Sequence, residues 1–556
     1  MNIFQEIEKE IVCGARASTT RLASRGMKLW RASRRPRGRR TEPRVGGGSG
    51  DGVRGEGGAA GPDACVAPDE RRGARLGATV LAGLLLLQLL LVFAAIERTG
   101  AGFGGDEPAY VAKASWLKEN GGFPRLPPGE WGRPFPADFW GNSDWRPIGY
   151  PVFLAAVGGS GIEPATTRTR VAVVQFLCVA AALSLTYVAA AKGFRLHARA
   201  CLLLGIGLGL QPWAFGYAML VGPESLTMVL TWLGLVALAW AATGKGHATW
   251  IGTIAGTASL TVAGILRPES LVLAPLLVGI GVWLGRRGRR RTIGLVVAAI
   301  TVFLSVVSLQ VAYRWNLTGR LEVFGPVRFF NSGLFRWLHT WVNTEKSAYD
   351  GIAYRLPAGV VSIDELPVRA FRDRAERDAV ARALDLVRSD GYTRDVDAAF
   401  SSIAEKRERE SMLGAIVLPR LARTAQLWLN LDTNRQFLSA LSRAPRLFSR
   451  AALALATLGR GLVLALFGAA VAVSFREGFP SGPRSLATPL VFLAAAYVLL
   501  RTLLVGPALG WMVARYMQPA WLPMLWCSIA GAVWVGRAWA GGRARCWPLR
   551  EGSVPL

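Results

Sequence analysis

The sequence predicts an all-α, multi-pass transmembrane protein with about ten spanning helices, and three observations carry that prediction. Half of the 556 residues are hydrophobic, and the mean hydropathy is positive. Apolar runs of about 20 residues, the length that crosses a hydrocarbon core, recur along the chain. Basic residues gather in the terminal tails and in short segments between those runs, as the positive-inside rule describes. The net charge of +28 therefore reads as topology rather than as a nucleic-acid footprint, and no nucleic-acid partner is expected. The six cysteines fall in basic tails or apolar runs, which implies no disulfide framework, and the three histidines are too scattered for a zinc site.

In chain order, residues 1–75 are rich in Arg, Gly, Ser and Pro and read as a disordered basic cytoplasmic tail, without the form of a signal peptide. Residues 76–313 read as an N-terminal transmembrane module. Its spans are expected at Leu76–Ile96, Arg168–Ala191, Ala200–Met219, Pro223–Ala242, Ala248–Leu266, Ser270–Leu284 and Thr292–Tyr313, with a first outer loop over 97–167. Residues 314–450 read as an extracytoplasmic segment. Within it, ELPVRAFRDRAERDAVARALDLVRSD has helical periodicity with opposite charges four apart, the mark of a solvated amphipathic helix. The following MLGAIVLPRLARTAQLWLNL is interrupted by Pro419, Arg420 and Arg423 and reads as an interfacial helix. Residues 451–536 carry spans at Ala451–Ser474, Leu486–Val505 and Tyr516–Val535, and 537–556 form a basic tail. The basic clusters fall on one side of alternating spans. Both termini are then cytoplasmic, with membrane lipids as the surroundings of the spans. The abundance of Arg, Ala and Gly points to a GC-rich bacterial genome, which would make the membrane the bacterial cytoplasmic one.

That alternation sends the chemically suggestive residues to the opposite face. The first outer loop opens with Asp106 and Glu107, and helix spacing puts Asp106, Tyr110 and Lys113 or Ala114 on one side. A carboxylate there could serve as a general base; it could also be a plain N-cap. Glu224 and Glu269 each open a later span at the same face. Arg146, Arg267, Arg501 and Arg515 supply guanidinium groups, which bind phosphate oxygens bidentately. Trp116, Trp131, Trp140, Trp145 and Tyr150 could stack against sugar faces or form an interfacial aromatic belt. Asp106, Glu107, Asp138 and Asp144 could offer oxygen ligands to a divalent metal, though no spacing demands one and no cofactor is called for.

The stretches GDEPAYVAKASWLKENGGF, RPIGYPVFLA, PESL, LRPES, AEKRERESMLGAIVLPRLARTAQLW and RYMQPAWLP resemble, in kind and order over roughly 76–540, the GT-C superfamily of polyprenyl-phosphate-sugar-dependent glycosyltransferases. The likeness is to its protein mannosyltransferase-like and aminoarabinose-transferase-like bacterial branches. The resemblance implies an inverting transfer of a sugar from a polyprenyl-phosphate donor to a hydroxyl of an acceptor glycan, lipid or protein at the extracytoplasmic face. Asp106 would be the catalytic base, and Glu107 would orient the acceptor or help bind a metal. By placement, Arg146, Arg267, Arg501 and Arg515 would hold the donor phosphate, while Tyr110, Trp145, Tyr150, Glu224, Glu269 and Tyr516 would line the substrate site. The rival readings are a transporter or flippase of lipid-linked sugars, and an inactive scaffold relative in cell-envelope assembly. The first is disfavoured because the acids cluster at one face and no halves repeat.

Overall fold

The structure is a computed structural model that describes residues 68–99, 107–121, 147–158, 164–194, 196–211, 222–285, 288–319, 321–323, 333–342, 352, 355–357, 359–429, 446–477, 486–508 and 514–540. Every regular element among them is helical. In chain order these are α1 (Pro68–Thr99), α2 (Glu107–Asn120), α3 (Gly149–Val157), α4 (Pro164–Gly193), α5 (Ala198–Gly209), α6 (Glu224–Thr243), α7 (His247–Leu266) and α8 (Pro268–Leu284). There follow α9 (Arg289–Thr318), α10 (Gly333–Trp341), α11 (Arg374–Asp390), α12 (Arg394–Glu410), α13 (Leu418–Leu429), α14 (Arg446–Glu477), α15 (Ala487–Leu503) and α16 (Trp521–Ala540).

Among the described residues, seven helical stretches are long and apolar enough to cross a membrane, in α1, α4, α6, α7, α9, α15 and α16; α5, α8 and the 458–473 part of α14 are shorter apolar helices. The expected span at Ala200–Met219 is thus a 12-residue helix among the described residues. The first helix also begins earlier than expected, at Pro68. Two of the seven, α1 and α9, turn large apolar faces outward, including Leu86, Leu87, Leu90, Ile293, Val297, Ile300 and Leu304. Such stripes are unfavourable in water and suit hydrocarbon. The inner pair α6 and α7 packs through small residues: a Cβ on Gly256 would meet the carbonyl oxygen of Gly234 at 3.0 Å. Backbones can approach this closely only where side chains are absent. The threonines facing the same core, Thr253, Thr257 and Thr261, each donate their hydroxyl to the carbonyl four residues back, so none of these three hydroxyls is stranded.

Between the two groups of apolar helices lies a unit with its own core. Leu334, Trp337 and Leu338 of α10 pack against Val380, Leu384 and Val387 of α11 and Val396 and Phe400 of α12. The charged α11, expected as a solvated amphipathic helix, turns its apolar side into a three-helix core. Asp373 caps it, accepting from the backbone N–H of Glu376 at 2.7 Å. A π-helical turn, Leu413–Val417, leads into α13. That stretch exposes Met412, Leu413, Leu418 and Leu421, whereas Arg423 turns wholly inward and donates to the carbonyl of His339 at 2.7 Å. One of the charges that breaks the apolar run is thus a buried tie between α13 and α10.

Candidate functional site

The site forms where several helix ends meet, and a single residue sets its geometry. Arg267 alone separates α7 from α8, because Pro268 lacks an N–H, takes the first position of α8 and forces its predecessor into an extended conformation. Arg267 accordingly has φ −142° and ψ 116°. Its side chain is buried, with Nη1 donating to Glu224 Oε1 at 3.0 Å and Nε lying 2.8 Å from Glu269 Oε1. Glu224 is the first residue of α6, and Glu269 lies in the first turn of α8, positions that favour acidic side chains. Arg501, in the last turn of α15, completes the group: Nη2 donates to Glu269 Oε1 at 3.1 Å, and Nη1 donates to Ser270 Oγ at 3.0 Å and to the Tyr497 hydroxyl at 3.1 Å. Two guanidiniums and two carboxylates thus form one buried network whose formal charges cancel.

The first-loop helices pack beside it. Tyr110 of α2 and Tyr150 and Leu154 of α3 share a small apolar core with Leu226, two residues after Glu224, and Leu266, one before Arg267. Gly149 makes this approach possible, since a Cβ there would meet the carbonyl oxygen of Ile265 at 2.6 Å. The ring of Tyr150 lies between Tyr110 (5.1 Å, edge-on) and Phe153 (5.7 Å, stacked), and its hydroxyl donates to Gln175 Oε1 at 3.0 Å. Tyr110 and Tyr150, two of the residues expected to line the substrate site, are therefore packed into the support of α2 and α3. Lys113, on the same side of α2, is buried, with Nζ 6.0 Å from the centroid of the Tyr313 ring.

Sequence reasoning missed the residues that anchor this assembly. Gln310 of α9 accepts from the backbone N–H of Ile148 at 3.0 Å and donates to the carbonyl of Val323 at 2.9 Å, clamping the start of α3. Arg314, wholly buried, pairs with Glu322 at 3.1 Å after the chain reverses at Gly319, whose φ is 65°. Ser270 and Tyr497 complete the shell of Arg501. A polar residue within an apolar run is the signal common to Gln175, Gln310 and Tyr497.

Asp106, Trp145 and Arg146 lie outside the described residues. Glu107 is the first residue of α2, and Arg515 and Tyr516 lie in the 3₁₀ turn Ala514–Ala520; the side chains of these three also lie outside those described. Among the described residues no group of three or more His, Cys, Asp or Glu side chains is placed to hold a metal ion. The four acids that could do so by sequence, Asp106, Glu107, Asp138 and Asp144, have side chains outside that set. No protein-family model matches the chain, and no curated protein or solved structure is significantly similar to it.

Proposed function

We propose that the chain is a GT-C-type membrane glycosyltransferase of about ten spans. In this reading both termini are cytoplasmic, and the enzyme moves a sugar from a polyprenyl-phosphate donor to an acceptor hydroxyl at the extracytoplasmic face. One observation carries it: Glu224, Arg267, Glu269 and Arg501, drawn from three distant parts of the chain, gather into one network beside the first-loop helices. A lipid-linked donor reaches such a site sideways from the bilayer, with its phosphate at the level of the helix ends. Asp106 takes the proton of the acceptor hydroxyl, and Glu107 orients that hydroxyl. The freed oxygen attacks the anomeric carbon from the face opposite the phosphate, which inverts the configuration. Arginine holds the phosphate and stabilises the charge it gains as the sugar–oxygen bond breaks.

The test is transfer of label from polyprenyl-phosphate sugars to lipid or polysaccharide acceptors by the purified protein in nanodiscs. Wild type transfers, while Asp106→Asn stays folded and loses about two to four orders of magnitude in rate, the usual share of a positioned base. Full activity of Asp106→Asn would remove the base assignment, and movement of the lipid across the bilayer without transfer would favour the transporter.

A further inference from the structure

We infer that the carboxylate of Glu224 is an internal stand-in for the anion this site binds, so that a phosphate group reaches Arg267 by displacing Glu224 from it. The inference deepens the transferase reading and rests on it for the identity of the anion, a lipid-linked phosphate. No covalent step is involved: one ion pair is exchanged for another.

Charge balance is the first ground. Among the described residues the ion-paired group is Arg267, Glu224, Glu269 and Arg501, whose side chains are 7%, 8%, 2% and 0% exposed and whose formal charges sum to zero. A phosphate added to the intact group would leave net negative charge in a poorly solvated enclosure, which is strongly disfavoured. One carboxylate must leave as the phosphate arrives.

Geometry decides which. Glu269 is held by both arginines, whereas Arg267 is the one ion-pair partner of Glu224 among the described residues. Glu224 also occupies a space that depends on its neighbour: a Cβ on Gly222 would lie 2.4 Å from Glu224 Oε2. The pose exists because residue 222 carries no side chain. Guanidinium accepts carboxylate and phosphate oxygens through the same fork of N–H groups, so the exchange preserves its hydrogen bonding. Arg501, held by Glu269, Ser270 and Tyr497, stays fixed and keeps Glu269 on Arg267 while the phosphate takes the Glu224 side.

The experiment measures phosphate affinity of wild type, Glu224→Gln and Gly222→Ala in nanodiscs, with inorganic phosphate in one arm and polyprenyl phosphate in the bilayer in the other. Thermal melting checks the fold of each. Both variants should bind about tenfold tighter than wild type or better, the first because the competing anion is neutral and the second because the added methyl pushes the carboxylate off Arg267. Tightening in the lipid arm alone names a lipid headgroup as the source, and tightening in both shows that the phosphate group suffices. Unchanged or weaker binding by folded variants in both arms overturns the inference; if Glu224→Gln does not fold, Gly222→Ala decides. Sugar transfer measured alongside separates the failures. Tighter binding with no transfer by any form keeps the exchange and removes the transferase, and transfer by wild type with unchanged affinities does the reverse.

Discussion

Arg501 donates to the same oxygen of Glu269 that Arg267 grips, at 3.1 Å against 2.8 Å, although 231 residues separate Arg501 from Ser270 beside that glutamate. One carboxylate thus fixes the end of α15 to the start of α8, and α8 to the turn that ends α7. A buried charge stripped of its partner is far more costly than the pair is stabilising, so the two kinds of deletion should differ.

Arg501→Met leaves Glu269 with Arg267 alone and should destabilise the folded protein by about 3–5 kcal/mol. Arg501→Lys keeps a charge but cannot reach Glu269, Ser270 and Tyr497 together, and should recover less than half of the loss. Melting in a fixed detergent, run as a double-mutant cycle with Glu269→Gln, checks both. A coupling energy near zero would mean that the shared oxygen holds nothing in place.

Gly149 touches no substrate in any reading, yet it sets the distance between α3 and the end of α7. In Gly149→Ala the added methyl meets a backbone oxygen, which cannot rotate away as a side chain can. Overpacking of this kind costs about 1–3 kcal/mol, and here it moves the first-loop helices off the Arg267 turn. Transfer activity should fall by about tenfold or more in protein that still folds, because small misplacements of reacting groups are expensive. Activity equal to wild type would show that α3 does not position the site.

How much of this was legible in the sequence depends on the physics behind each part. Hydropathy marks the apolar helices, since a spanning helix must be apolar over most of its length. Proline and acid at positions 268 and 269 mark the start of α8 in the same direct way. The pairing of Glu224, Arg267, Glu269 and Arg501 was not legible. By sequence, acid and base are separate binders of substrate and phosphate, because a linear pattern does not say which charges meet. By sequence Tyr150 is either a sugar-stacking ring or part of an aromatic belt, whereas the apolar turn around it, with Leu154 four residues on, places it in a core. The three- and four-residue spacing of Val380, Ala383, Leu384 and Val387 marks α11 as amphipathic, but not that α10 and α12 cover its apolar stripe.

His339 makes the interposed unit sensitive to acid. Its ring Nε2 is buried without a partner, and burial first, then Arg423 and Arg420, hold its pKa down at about 3 against the usual 6.5. The unfolded chain therefore takes up the proton first. Stability that is fully present above 6.5 is lost as pH falls from there toward 3. At about pH 5 the loss amounts to about 2 kcal/mol at most. Hydrogen-exchange protection factors in α10 and α12, which divide out the base-catalysed pH dependence of amide exchange, should fall between about pH 7.5 and pH 5 in wild type and change less in His339→Gln. Equal pH slopes in the two proteins would assign the effect to other groups.

Arg407 holds the same unit together from within. Its Nε donates to Glu376 Oε1 at 2.6 Å, Nη1 to Thr340 Oγ1 at 2.9 Å and Nη2 to the carbonyl of Ala370 at 2.5 Å. One side chain of α12 thereby ties α10, α11 and the 3₁₀ turn Val368–Ala370. Arg407→Met strands Glu376 in the core and should cost about 3–5 kcal/mol, enough to open the unit to protease while α6, α7 and α8 remain protected. Replacing both partners, Arg407→Met with Glu376→Met, removes the stranded charge and should restore most of the resistance. If the double variant is cleaved as fast as the single one, the unit depends on the arginine's ties to Thr340 and Ala370 rather than on its charge.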